Sequence, residues 1–208
     1  MKRFSKFLST TAICFLMFAP SAHSAEKAGS TEIIQSLNDT LLDVMKRSKK
    51  LGYHGRYKTL EPVLSKAFDF PFMIQYAVGR PWKEISEDQK KELISAFSNF
   101  TIATYADRFN GYSGEQFTIV DSRNAPRNTK LVNTKLILKK GKAIKLNYLM
   151  RDNGNGWKIM DIFLKGSISE LATKRSDYNL TIKNEGFHSL ISKIKEKTAI
   201  IQAQSTRP

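Results

Sequence analysis

Between Leu131 and Lys165 three strand-like runs are separated by two turn signals, and this stretch restricts the fold more than any other. The runs are Leu131–Leu138, Ala143–Met150 and Trp157–Leu164. A turn of Lys139-Lys140-Gly141-Lys142 divides the first two. The second divider, Arg151 to Gly156, holds Asn-Gly twice, a strong short-range hairpin signal. Such a pattern predicts an antiparallel meander. One face of a meander must be covered, so the remainder of the chain has to supply the cover.

The flanking sequence predicts helices able to do so. Ile33, Ile34, Leu37, Leu41, Val44 and Met45 recur at helical spacing over Thr31–Lys50, with Ser30 as N-cap and a break at Gly52 and Gly55. A second helix is predicted over Tyr57–Phe68. A short one follows, capped by Asp69, with Pro71 in its first turn and Gly79 at its end. Ser86 and Gln89 form a capping box that opens a helix running to about Arg108, with Leu93, Phe97, Phe100 and Thr104 on one face and Ile94, Thr101 and Tyr105 beside them. Gln116–Ser122 reads as a further strand, with Phe117, Ile119 and Asp121 on one side, before a polar turn over Arg123–Asn128. After the meander, Ser167 and Glu170 suggest a second capping box, opening a helix to about Ile182, and Phe187–Ala203 reads as the last helix. The expected fold is therefore α+β: a curved antiparallel sheet of four or five strands packed against several helices, cone-shaped, with an internal apolar cavity.

The first residues read as a secretory leader. Lys2, Arg3 and Lys6 precede an apolar run from Phe7 to Pro20, and small residues follow to Ser24 and Ala25. The apolar run falls short of the roughly 20 residues that cross a bilayer. Residues 1–25 are thus expected to be removed, leaving 26–208 as a single domain in the periplasm. Cys14, the chain's only cysteine, leaves with the leader, so the mature chain has no disulfide, no thiolate metal site and no cysteine nucleophile.

The formal charge of +15 stays strongly positive without the leader. Charge of this sign attracts nucleic acid, anionic lipid or acidic protein surfaces, and export argues against nucleic acid. Arg123, Arg127, Lys130, Lys139, Lys140, Lys142 and Lys145 gather around the predicted sheet turns, as a solvated rim or as a contact for a membrane surface or an acidic partner.

No catalytic set stands out. His54 and His188 lie far apart, with no metal-binding spacing between them, and neither a nucleophile elbow nor a phosphate loop occurs. No cofactor is implied. One carboxylate needs weighing. Strict alternation puts Asp161 on the same face as Trp157, Ile159 and Phe163, among apolar groups. One reading makes it the acid or base of a small cone-fold enzyme acting on an apolar substrate. The other makes it structural, paired with Tyr148 or Arg151 or accepting backbone N–H groups. The structural reading is favoured.

The order of several motifs resembles a known family. Phe68-Asp69 leads through a short helix to Gly79-Arg80-Pro81-Trp82. A long helix carrying Phe97 and Thr104-Tyr105 comes next, then Ile144–Met150, Gly156-Trp157-Lys158-Ile159-Met160-Asp161 and Gly166-Ser167-Ile168. This succession is similar to the periplasmic Mla-type phospholipid-binding proteins, the MlaC or toluene-tolerance family. The run Ser167–Tyr178 looks more like the hopanoid-associated branch, HpnM, which leaves phospholipid and hopanoid both open as ligand. The resemblance implies no chemistry. It implies a carrier that holds acyl chains between sheet and helices and makes transient contact with membrane surfaces. Its partners would be an inner-membrane ABC transporter with an MCE-domain protein and an outer-membrane lipoprotein complex. On that reading the cavity candidates are Phe72, Met73, Tyr76, Trp82, Phe97, Phe100, Leu136, Tyr148, Ile159 and Phe163.

Overall fold

A computed structural model of the chain describes residues 29–206; the expected leader, with Cys14 and its cleavage site, lies outside them. The order of elements is α1 (Ser30–Lys46), α2 (Ser48–Ala67), α3 (Phe70–Val78), a 3-10 turn (Arg80–Lys83), α4 (Glu87–Arg108), β1 (Gln116–Ala125), β2 (Thr129–Ile137), β3 (Ala143–Asp152), β4 (Trp157–Leu164), β5 (Ile168–Ser169), α5 (Glu170–Glu185) and α6 (Phe187–Ser205). The five strands form one antiparallel sheet in sequential order, each joined to the next by a short connection. This is the α+β architecture that the meander and its flanking helices predict.

Local chemistry accounts for most boundaries. Asp69 accepts the N–H of Phe72 and starts α3, and Gly79 ends it at φ 71°, a conformation that a side chain disfavours. Ser86 and Gln89 form both halves of the capping box at α4. Several boundaries differ from expectation. The N-cap of α1 is Gly29, with Ser30 the first helical residue, and β1 runs on to Ala125, so that Arg123–Ala125 are strand and not part of a polar turn. α1 stops at Lys46, and the backbone re-enters helix at Ser48; Gly52 (φ 59°) is then a kink inside α2 rather than the end of the first helix, and Gly55 and Pro62 lie within α2. The N-cap of α5 is Ser169, not Ser167, because Ile168 and Ser169 first pair with Leu164 and Phe163 as β5.

Two bulges set the sheet's faces. The β1–β2 register shifts between Ile119 and Asp121, which leaves Val120 as the extra residue. The β3–β4 register shifts so that Met150 faces Ile159 while Leu149 faces Asp161, which leaves Met160 as the extra residue. A bulge bends its strand and reverses the alternation beyond it. Before Met160 the odd residues of β4 face the helices, and Ile159 and Met150 are fully buried there. After it, Ile162 and Leu164 face the helices, and Asp161 and Phe163 face away. Ile119 and Asp121 are separated in the same manner.

The core lies between the sheet and the helices. Ile34, Leu37, Leu41 and Val44 of α1 are fully buried in it, and so are Leu60, Leu64, Leu93, Phe97 and Val132. α4 packs on α2 and α6, and α3 packs on α5. Near the bulge the Asp69 N–H donates to the carbonyl of Ile159 at 2.9 Å, which fastens the α2–α3 junction to the sheet edge.

Candidate functional site: an apolar cavity between α4 and the sheet

The core is not filled everywhere. A cavity of about 400 Å³ remains between α4 and strands β2–β4. On the helical side, Phe97, Phe100, Thr101, Thr104 and Tyr105 follow one another at helical spacing along α4, with Phe68 and Met73 behind them. Leu136 and Ile144, cross-strand partners, line the other side with Leu146, Tyr148, Ile162 and Leu164. Phe68, Met73, Phe97, Tyr148 and Ile162 close the inner end and are buried. The outer end is formed by half-buried Leu136, Ile144, Leu146 and Leu164, and by Arg108, Phe109, Glu170 and Lys174.

The polar atoms of the wall make little demand on an apolar guest. The hydroxyls of Thr101 and Thr104 donate to the carbonyls of Phe97 and Phe100, at 2.9 Å and 2.7 Å, within α4 itself. Burial raises the pKa of both Tyr105 and Tyr148, so these phenols stay neutral at ordinary pH. The charged groups lie at the outer end. There Lys174 is half-buried, with its ammonium 4.8 Å from the ring centre of Phe100, and burial lowers its pKa.

A second cleft, of about 660 Å³, lies on the opposite face of the sheet. Phe72 and Tyr76 of α3, Leu149 and Arg151 of β3, and Met160 and Phe163 around the bulge line it. Arg151 stacks over Phe72 at 4.4 Å, and Arg175 over Tyr76 at 5.0 Å.

The ten residues singled out from sequence therefore separate. Met73, Phe97, Phe100, Leu136 and Tyr148 line the enclosed cavity. Phe72, Tyr76 and Phe163 line the cleft behind the sheet. Ile159 is buried against Met150 in the core, and Trp82 sits in the 3-10 turn under the Lys90 ammonium, 5.9 Å from its ring centre. Sequence reasoning missed the rest of the lining, including Ile144, Leu146, Phe68, Tyr105, Ile162, Leu164 and Lys174. The first two were legible in principle, because the hairpin turn at Leu138–Lys142 places Ile144 opposite Leu136 and Leu146 opposite Thr134. The basic residues around the turns also separate. Lys139, Lys140 and Lys142 lie in the turn between β2 and β3, and Arg123 and Arg127 at the other end of β1 and β2, roughly 25 Å away along the strands.

Asp161 does not share a face with Ile159, and neither Tyr148 nor Arg151 is its partner. Its carboxylate accepts the N–H groups of Ile162 (2.7 Å) and Leu171 (3.0 Å) and the hydroxyl of Ser169 (2.5 Å). Arg151 instead pairs with Asp69 at 3.4 Å. Among the described residues no group of three His, Cys, Asp or Glu side chains is placed to hold a metal ion, and no helix is long and apolar enough to cross a membrane.

Comparison with known proteins finds the same architecture elsewhere. The fold is similar to that of a phospholipid-binding protein from Ralstonia solanacearum, solved in complex with a phospholipid, with a TM-score of 0.74 and 20% sequence identity over 84% of this chain and 99% of that one. No curated protein matches the chain. A family description, MlaC protein, matches residues 35–196, which run from α1 to α6 and take in every element of the cavity wall. The chain belongs to the MlaC family.

Proposed function

We propose that this protein is a lipid carrier that holds the acyl chains of a phospholipid in the cavity between α4 and the sheet. The observation that carries this reading is the cavity itself: about 400 Å³, apolar along its length, with its charges confined to the open end. Exposing an acyl chain to water costs about 0.8 kcal/mol per CH₂, so a carrier that crosses water must enclose the chains and can leave the headgroup outside. A site of this volume and lining falls within the range of small-molecule pockets, roughly 300–1,000 Å³. Met73, Phe97, Phe100, Leu136 and Tyr148 are the contacts proposed for the chains. The family and the phospholipid-bound relative support the ligand class.

The proposal extends to the setting. Residues 1–25 act as an export leader, the domain of residues 26–208 works in the periplasm, and lipid is exchanged between an inner-membrane ABC transporter with its MCE-domain protein and an outer-membrane lipoprotein complex. The role is transport and not catalysis. Asp161, the one carboxylate considered as an acid or base, lies outside that cavity, on the wall of the cleft behind the sheet, and its carboxylate is occupied by three donors.

Native mass spectrometry of protein purified without detergent tests the reading. The expected result is co-purifying phospholipid, or uptake of phospholipid from vesicles by stripped protein. Protein that is lipid-free as isolated and takes up none from vesicles would overturn it.

A further inference from the structure

Two cations, Arg108 and Lys174, share the open end of the cavity with a single carboxylate, Glu170. They come from different elements: Arg108 ends α4, and Lys174 lies one turn into α5. Lys174 is unlike an ordinary surface lysine. It is half-buried, its Nζ lies 4.8 Å from the Phe100 ring centre and 6.0 Å from that of Phe97, and it makes no hydrogen bond or ion pair with any of the described residues. Glu170, four residues earlier on the same helix, is spaced to pair with it but stays beyond ion-pair distance. Aromatic faces compensate a desolvated ammonium only in part; Glu170 and Asp177 attract it without touching it, and Arg108 and Lys197 repel it. The ammonium is thus held at the boundary between an apolar cavity and water, short of an anion.

We propose that Lys174 and Arg108 bind the phosphate of the lipid whose chains fill the cavity, so that the carrier takes phosphate-bearing lipids in preference to uncharged lipids with the same chains. The inference rests on the carrier reading and narrows its ligand. An amphiphile with an anion directly above its chains matches an apolar wall at Leu136, Ile144, Leu146 and Leu164 with cations above it. A free phosphate lacks the chains, and an uncharged hopanoid lacks the anion. A hydrogen bond to a charged partner contributes on the order of 1.5–3 kcal/mol, which corresponds to a preference of about tenfold or more.

The test loads lipid-stripped protein from vesicles that contain equal amounts of phosphatidylglycerol and diacylglycerol with identical chains, and reads the ratio of the two bound species by native mass spectrometry. Because both lipids are counted in one sample, a general loss of folding or uptake cancels. The expected wild-type ratio favours phosphatidylglycerol about tenfold or more; Lys174→Gln brings it to within about threefold of unity, Arg108→Gln lowers it, and Lys174→Arg restores it. An unchanged ratio in both Gln variants overturns the inference and leaves the carrier reading standing. Loading of neither lipid by the wild type overturns the carrier reading, and this inference with it. Inorganic phosphate forms the third arm: binding of phosphate alone to stripped protein, abolished by Lys174→Gln, would mark an anion site unconnected to lipid and would also overturn it.

Discussion

The carboxylate of Asp161 accepts the backbone N–H of Leu171 at 3.0 Å, so one buried side chain on β4 fixes the first turn of α5. The same oxygen accepts the N–H of Ile162, and the other accepts the hydroxyl of Ser169, which itself caps α5 through the N–H of Ala172. A carboxylate at a helix N-terminus also faces the positive end of the helix dipole. The position of Lys174 at the cavity mouth depends on where α5 begins, so Asp161 serves the site through placement.

Asp161→Asn is therefore expected to lower stability and not to remove an activity. The amide keeps one acceptor oxygen but sets an N–H₂ against existing donors, which costs about 1–3 kcal/mol. Urea unfolding should show a lower midpoint with an unchanged slope, and loaded protein should still carry phospholipid. A variant with wild-type stability that has lost all lipid would contradict this role.

Filling the cavity should block loading. Leu146→Trp on the sheet wall places an indole in the space across from Phe100 and Thr104. Because the side chain enters an existing void, the stability change should stay at or below the roughly 1–3 kcal/mol typical of overpacking. Native mass spectrometry of the purified variant is expected to show protein free of lipid. Full loading would mean that the chains lie elsewhere.

The bulge at Met160 supplies a test on neighbouring residues. Leu164 lines the cavity and Phe163 lines the cleft behind the sheet. Leu164→Asp should sharply reduce acyl-chain loading, since it puts a carboxylate into the apolar wall. Phe163→Asp should leave loading in place. Equal losses from the two, measured by vesicle uptake, would argue against the assignment of faces.

That pair also shows where sequence reading stops. The caps at Asp69 and Ser86 were legible because each involves residues three apart in the chain. The meander was legible from its turns. The face of Asp161 was not: alternation assumes a period of two, and the extra residue Met160 breaks that period without any marker such as glycine or proline. The α5 boundary failed for a related reason. Ser167 and Ser169 are both acceptable N-caps, and pairing of Ile168-Ser169 with β4, a tertiary contact, decides between them. The apolar and aromatic character of the cavity wall was plain in the sequence, but Phe72 and Met73, adjacent in α3, line different spaces. Only the packing of α3 across the sheet edge separates them.

Alkaline pH should unfold the protein through its buried phenols. Burial raises the pKa of Tyr148 and Tyr178 and takes Tyr53 to about 12, while each would ionise near 10 in the unfolded chain. A group raised in the folded state contributes stability that is complete below its unfolded pKa and is lost as pH climbs toward its folded one. Lys174 acts in the opposite sense: its pKa is depressed below 10.5, so it adds stability as pH approaches that value. Stability should thus hold to about pH 9–10 and then fall by about 1.4 kcal/mol per pH unit for each phenol kept neutral. Tyr148→Phe removes one such phenol while keeping the ring in the cavity wall. Urea unfolding should show a decline smaller in this variant by about 1 kcal/mol between about pH 10 and 11, and by only a few tenths between about pH 9 and 10. Parallel declines in variant and wild type would show that Tyr148 ionises freely in the folded protein, and that water fills the inner end of the cavity.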